Sequence, residues 1–147
     1  MRGAVVVASI SVLAACLAAS TFALSQPAYV KAAGKICAQR AKKLHRLRRF
    51  SLDKASPAKI ARRLRAVIRI YGRGLVRLRA LKPPRAFSYL VPRWLGFERT
   101  RLALWKRARR AALAGKGAAA RYYVNRANVA GARAAEISNG LEIKRCE

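Results

Sequence analysis

Two cysteines, Cys37 and Cys146, stand near opposite ends of the main body of a 147-residue chain, and any fold has to account for where they go. The third, Cys16, lies in an N-terminal stretch of different character. An even pair in an exported protein is most simply a disulfide. Two free thiols buried separately in a core are the alternative. The choice depends on export and on whether the fold brings the ends together.

The N-terminal stretch "MRGAVVVASISVLAACLAASTFALSQPAYV" bears on export. It carries one cation, Arg2, and then an uncharged, mostly apolar run from Gly3 to Leu24. That is the build of a secretory signal, with Ala23 and Ser25 as the small residues read by signal peptidase and Gln26 as the first residue of the processed chain. Two other readings stay open. "LAAC" at 13–16 resembles a lipobox, which makes Cys16 a candidate for lipidation, although the residues after it stay apolar where a polar tether is usual. An uncleaved anchor is the third, since about 20 apolar residues span a bilayer. Each places the protein outside the cytoplasm, as a secreted or envelope-associated domain formed by residues 26–147.

The body of the chain has helical periodicity. Tyr29, Ala33, Ile36, Cys37, Ala41, Leu44 and Leu47 recur at intervals of three and four, which points Cys37 toward a core. Ser56 and Pro57 are suited to cap and open a second helix. Its apolar face runs through Ile60, Leu64, Val67, Ile68, Tyr71, Leu75, Leu78 and Leu81 as far as Pro83-Pro84. A third helix holds Phe87, Leu90, Val91, Trp94, Leu95, Leu102 and Trp105 in phase, with Pro92 expected either to kink it or to mark its true start. Gly115 and Gly117 end it. A fourth, from about Ala118 to Asn139, carries a stripe of small residues through Ala120, Ala127, Ala130 and Ala134, with Tyr123 and Ile137 in the same phase and Gly140 as the expected C-terminal cap.

Short connections force antiparallel neighbours, so the expected fold is all-α, an up-down-up-down four-helix bundle. In that topology the first helix begins where the fourth ends. The residues from Gly140 to Cys146 reach up to ~20 Å, enough to bring Cys146 to Cys37.

The stretches "AYVKAAGKICAQ", "LRALKPP" and "GLEIKRCE" resemble a loosely defined group of short exported or lipid-anchored helical proteins of actinobacterial genomes. An early Tyr/Phe-Val with Ile-Cys, a central Pro-Pro and a cysteine near the C-terminus recur in that group. The resemblance covers most of the chain after the signal. It implies a helical bundle with a disulfide between Cys37 and Cys146, and it brings no assigned activity. This chain departs from the group in being far more basic.

That basicity is the main clue to function. Lys and Arg number 33 against five acids, for a formal net charge of +28. A GC-rich genome can account for Arg over Lys but not for the missing acids. Asp53, Glu98, Glu136, Glu142 and Glu147 are too few to neutralise the surface, which favours polyanions such as nucleic acid, anionic lipid or wall phosphate polymers. At about 100° per residue, Arg62, Arg65, Arg69, Arg73 and Arg77 gather on the second helix opposite its apolar stripe. They are the candidate anion-binding residues, although an acid-poor amphipathic helix also turns its cations outward with no ligand at all. Like charges four apart cost some 0.2–0.5 kcal/mol each, which a bound anion relieves.

The signals for catalysis are few. His45 is the only histidine and reads as a boundary or solvated side chain. The carboxylates are scattered, and Glu98, near the phase of Trp94 and Trp105, reads as a structural residue paired with an arginine. "YGRGLV" lacks phosphate-loop spacing, and neither a metal-ligand pattern nor a cofactor motif is present. Tyr122 is the aromatic expected to be exposed. The expectation is a non-enzymatic, exported bundle holding anionic envelope polymers or lipid headgroups. A nucleic-acid binder, of extracellular DNA or cytoplasmic if the N-terminus is no signal, and an inert structural or partner-binding bundle are the alternatives.

Overall fold

A computed structural model describes residues 23–47, 54–144 and 146. The signal-like run and the candidate lipidation site Cys16 lie outside the described residues. The described chain is all-helical: α1 (Gln26–His45), α2 (Pro57–Ala80), a 3₁₀ turn (Arg85–Phe87), α3 (Leu90–Leu113) and α4 (Gly117–Gly140). Each helix packs on the next in chain order as an antiparallel bundle, and the main helix contact of α1 is with α2.

The ends of the helices follow local chemistry. Ser25 Oγ accepts from Ala28 N and Ser56 Oγ from Lys59 N, both at 3.4 Å, satisfying amides that the first turns leave unpaired. Pro92 falls in the first turn of α3, where its missing N–H costs nothing, so it marks the start of that helix. Gly115 closes α3 with φ 72, and Lys116 N reaches back to Ala111 O.

The end of α4 corrects the expectation for Gly140. That glycine is the last helical residue, and the left-handed position falls on Glu142, with φ 59. Glu142 N bonds Asn139 O and Ile143 N bonds Ser138 O, the same paired closure seen at Gly115. The register follows from burial, because it turns Leu141 and Ile143 into the core. A side chain in the left-handed region costs ~1–2 kcal/mol, partly offset by the greater unfolded freedom of glycine. Glu142→Gly should therefore raise stability by about 0.5–1 kcal/mol, read as a higher urea midpoint, and Glu142→Val should lower it.

The apolar interior forms two clusters. One joins Tyr29, Ile36 and Cys37 of α1 to Leu78, Val91, Trp94 and Ala134, with Leu141, Ile143 and Cys146 of the tail packed among them. The other joins Ile60, Leu64 and Tyr71 to Trp105, Ala108, Ala120 and Val124. Cys37 and Cys146 form a disulfide with Cα atoms 4.8 Å apart, which answers the question their positions raise. The tail is thus a fifth packing element, fastened to α1.

Candidate anion-binding groove

Arg40 connects the two clusters. It is 3% exposed, and its guanidinium makes a two-pronged pair with the fully buried Glu98, Nη1 to Oε2 at 3.1 Å and Nη2 to Oε1 at 3.3 Å. Nη2 also donates to the carbonyl of Cys146 at 3.0 Å, and the guanidinium carbon lies 4.0 Å from the centre of the Tyr71 ring. Gly74 makes room for the stem, since a Cβ there would stand 3.1 Å from Arg40 Cδ. Arg101 continues the polar layer: Nη1 donates to Tyr71 Oη at 3.0 Å, and its guanidinium lies so close to Gly131 that a Cβ would fall 2.5 Å from it. A side chain at 131 would push the Arg101 guanidinium out of this position. Glu98 is therefore structural and paired, as its phase suggests, and its partner comes from α1.

Above this layer a groove of about 280 Å³ opens between α1 and α2. Ile36 and Ile70 line it together with Arg40. Its rim brings Lys43 of α1 together with Arg69, Arg73 and Arg77 of α2, all four exposed. No acid lines it. The carboxylate of Glu98 already balances Arg40, so the rim carries four formal positive charges with no counter-charge among the described residues of the groove. Gln39 accepts from Arg77 Nη1 at 2.6 Å and so fixes the direction of that side chain.

The groove gathers three of the five arginines singled out in the sequence. Arg62 and Arg65 are exposed on α2 but lie outside it. Lys43 was not among those candidates, because the periodicity of one helix does not reveal which face its neighbour turns toward it. His45 is exposed, and Tyr122 is 56% exposed. Among the described residues, no group of three or more His, Cys, Asp or Glu is placed to hold a metal ion. Among them, too, no helix is long and apolar enough to cross a membrane.

Two buried tyrosines set the alkaline limit. Burial pushes Tyr29 up to about 12; burial, aided by the Glu98 charge and opposed by Arg40 and Arg101, also raises Tyr71. Unfolded tyrosines ionise near pH 10, so this stability is fully present below about pH 10 and is lost as pH rises through the folded values. Two pKa units at Tyr29 amount to about 2–3 kcal/mol. In an alkaline titration followed by phenolate absorbance, Tyr29 and Tyr71 should ionise only with loss of helical circular dichroism. The Tyr29 hydroxyl is buried with no partner among the described residues. Tyr29→Phe should accordingly move the alkaline transition upward.

No protein-family profile, curated protein or solved structure matches this chain.

Proposed function

We propose that this is a non-catalytic, exported binding protein that holds phosphate-bearing polyanions of the cell envelope in the groove between α1 and α2. The observation that carries the reading is the convergence of Lys43, Arg69, Arg73 and Arg77 on one groove that no acid lines among the described residues. Like charges so close repel one another, and a bound anion converts that cost into attraction. Arginine suits the task, because its planar fork of donors matches phosphate oxygens. The disulfide supports export, since such bonds persist in oxidising compartments and are rare in the cytosol.

With a net charge of +28, the whole surface attracts polyanions to some degree, so the test has to localise binding. The triple variant Arg69→Gln/Arg73→Gln/Arg77→Gln is compared with Arg99→Gln/Arg107→Gln/Arg110→Gln, three exposed positions of α3 outside the groove. Inorganic polyphosphate serves as the probe, titrated at several salt concentrations. Each lost phosphate contact lowers the slope of log affinity against log salt by ~0.7 for a single-stranded polyanion. The groove triple should lose about 2 from that slope, and the α3 triple much less. Equal losses would mean a diffuse field with no site.

A further inference from the structure

The arrangement of the groove specifies its ligand further, on the premise that the groove is the anion site. Arg69, Arg73 and Arg77 follow one another at every fourth residue of α2, a rise of about 6 Å per step. Arg65 and Arg62 extend the exposed row beyond the groove, so the five span ~22 Å along the helix. Such a row fits a linear chain of regularly spaced anions better than one compact anion. Neighbouring phosphorus atoms joined through a three-carbon polyol are six bonds apart. Six backbone bonds also separate every second Cα of an extended chain, about 7 Å. In a pyrophosphate chain, whose links are two bonds long, only every second phosphate meets an arginine of the row, and the charges between are left unmatched.

The groove also shows what joins the phosphates. Its apolar lining is aliphatic, from Ile36, Ile70 and the stem of Arg40. Among the described residues no aromatic ring lines it, and Tyr71 is buried under the Arg40 guanidinium. Single-stranded nucleic acid has the same six-bond phosphate spacing, but its binding sites usually provide aromatic faces on which bases stack, worth about 1–3 kcal/mol per base. At about 280 Å³ the groove lies just below the ~300–1,000 Å³ typical of sites that enclose a small molecule. It suits a phosphate with a short saturated linker, with the rest of the ligand running along the surface.

We infer that the groove and the arginine row of α2 bind an extended poly(polyol phosphate), a chain of phosphodiesters joined by short saturated linkers, with two or three consecutive phosphates seated against Lys43, Arg69, Arg73 and Arg77. The test uses the intact, oxidised protein and synthetic glycerol phosphate oligomers of one to eight repeats. Affinity should climb by roughly 10²-fold from one repeat to four, as added phosphates engage the row, and then flatten. The groove triple should abolish the length dependence, and the α3 triple should preserve it. Affinity proportional to phosphate count throughout the series would overturn the inference. So would tighter binding of a thymidine oligonucleotide of equal charge, or of phosphatidylglycerol vesicles at equal phosphate, which would point to nucleic acid or a lipid surface. The polyphosphate comparison of the two triples keeps these outcomes distinct from failure of the groove reading itself.

Discussion

Glu98→Gln should destabilise the protein by about 3–5 kcal/mol, enough to bring a domain of ordinary stability close to unfolding. The substitution keeps the shape of the side chain and removes only its charge. Arg40 is the only cation buried among the described residues, and it would be left without a counter-charge at 3% exposure. Arg40→Met should cost less than Glu98→Gln only if the carboxylate it leaves behind draws in water or Arg101. The informative variant is the double one, Arg40→Met/Glu98→Leu. Replacing a buried ion pair with apolar side chains is often neutral or stabilising, because both desolvation penalties disappear. Here the double variant also takes the donor from the Cys146 carbonyl, worth ~1–3 kcal/mol if that oxygen stays dry. Urea melts should place it above Glu98→Gln and within about 2 kcal/mol of the parent chain. A double variant no more stable than Glu98→Gln would show that Arg40 acts through the Cys146 carbonyl and the Tyr71 ring more than through the ion pair.

This charged layer also marks where reading the sequence helix by helix stops. The four helices, the Ser56 cap and the break at Pro83-Pro84 follow from periodicity and local chemistry, and each is present in the structure. Glu98 stood out because one acid fell in the phase of an apolar stripe. Arg40 carried the same signal, lying three and seven residues beyond Cys37 and Ala33, but among 33 cations a single one in phase with the core does not stand out. The pairing is a contact between α1 and α3, which no pattern within either helix encodes.

The groove was half legible for a similar reason. Periodicity places Arg69, Arg73 and Arg77 on one face of α2, but Lys43 enters only when the rotation of α1 is known. Gly72 and Gly74 within "YGRGLV" were a local cue, since a helix interior that accepts glycine often does so for close approach; Gly74 clears the path of Arg40. The tail shows the opposite case. Its length suggests no more than a tether to Cys37, whereas Leu141 and Ile143 make it part of the core, and their burial moves the left-handed turn from Gly140 to Glu142. Packing decided against the residue with the better local propensity.

Breaking the Cys37–Cys146 bond should have the second large effect, and two ways of breaking it separate its contributions. Reduction leaves both sulfur atoms in place, so it mainly releases the constraint on the unfolded chain. For a loop of 109 residues that constraint is worth at most about 4–5 kcal/mol, and measured losses in small domains run about 2–5. Cys37→Ala/Cys146→Ala removes the sulfurs as well, at positions 0% and 1% exposed, and should cost about 1 kcal/mol more through lost packing. Both forms should unfold with a larger urea m-value, because the uncrosslinked denatured chain is less compact. The loss should also be local. The main helix contact of α1 is with α2, and its buried face shares a cluster with the tail that the disulfide fastens. Hydrogen exchange in the reduced protein should therefore show α1 and the tail opening first, while α3 and α4 keep their protection. Arg40 ties this prediction to the first: its bond to the Cys146 carbonyl makes the tail and the ion pair share a partner. The reduced Glu98→Gln variant should then fall short of the parent chain by less than the sum of the two separate losses, the difference being about 0.5–3 kcal/mol, and strict additivity would mean that Arg40 does not couple them.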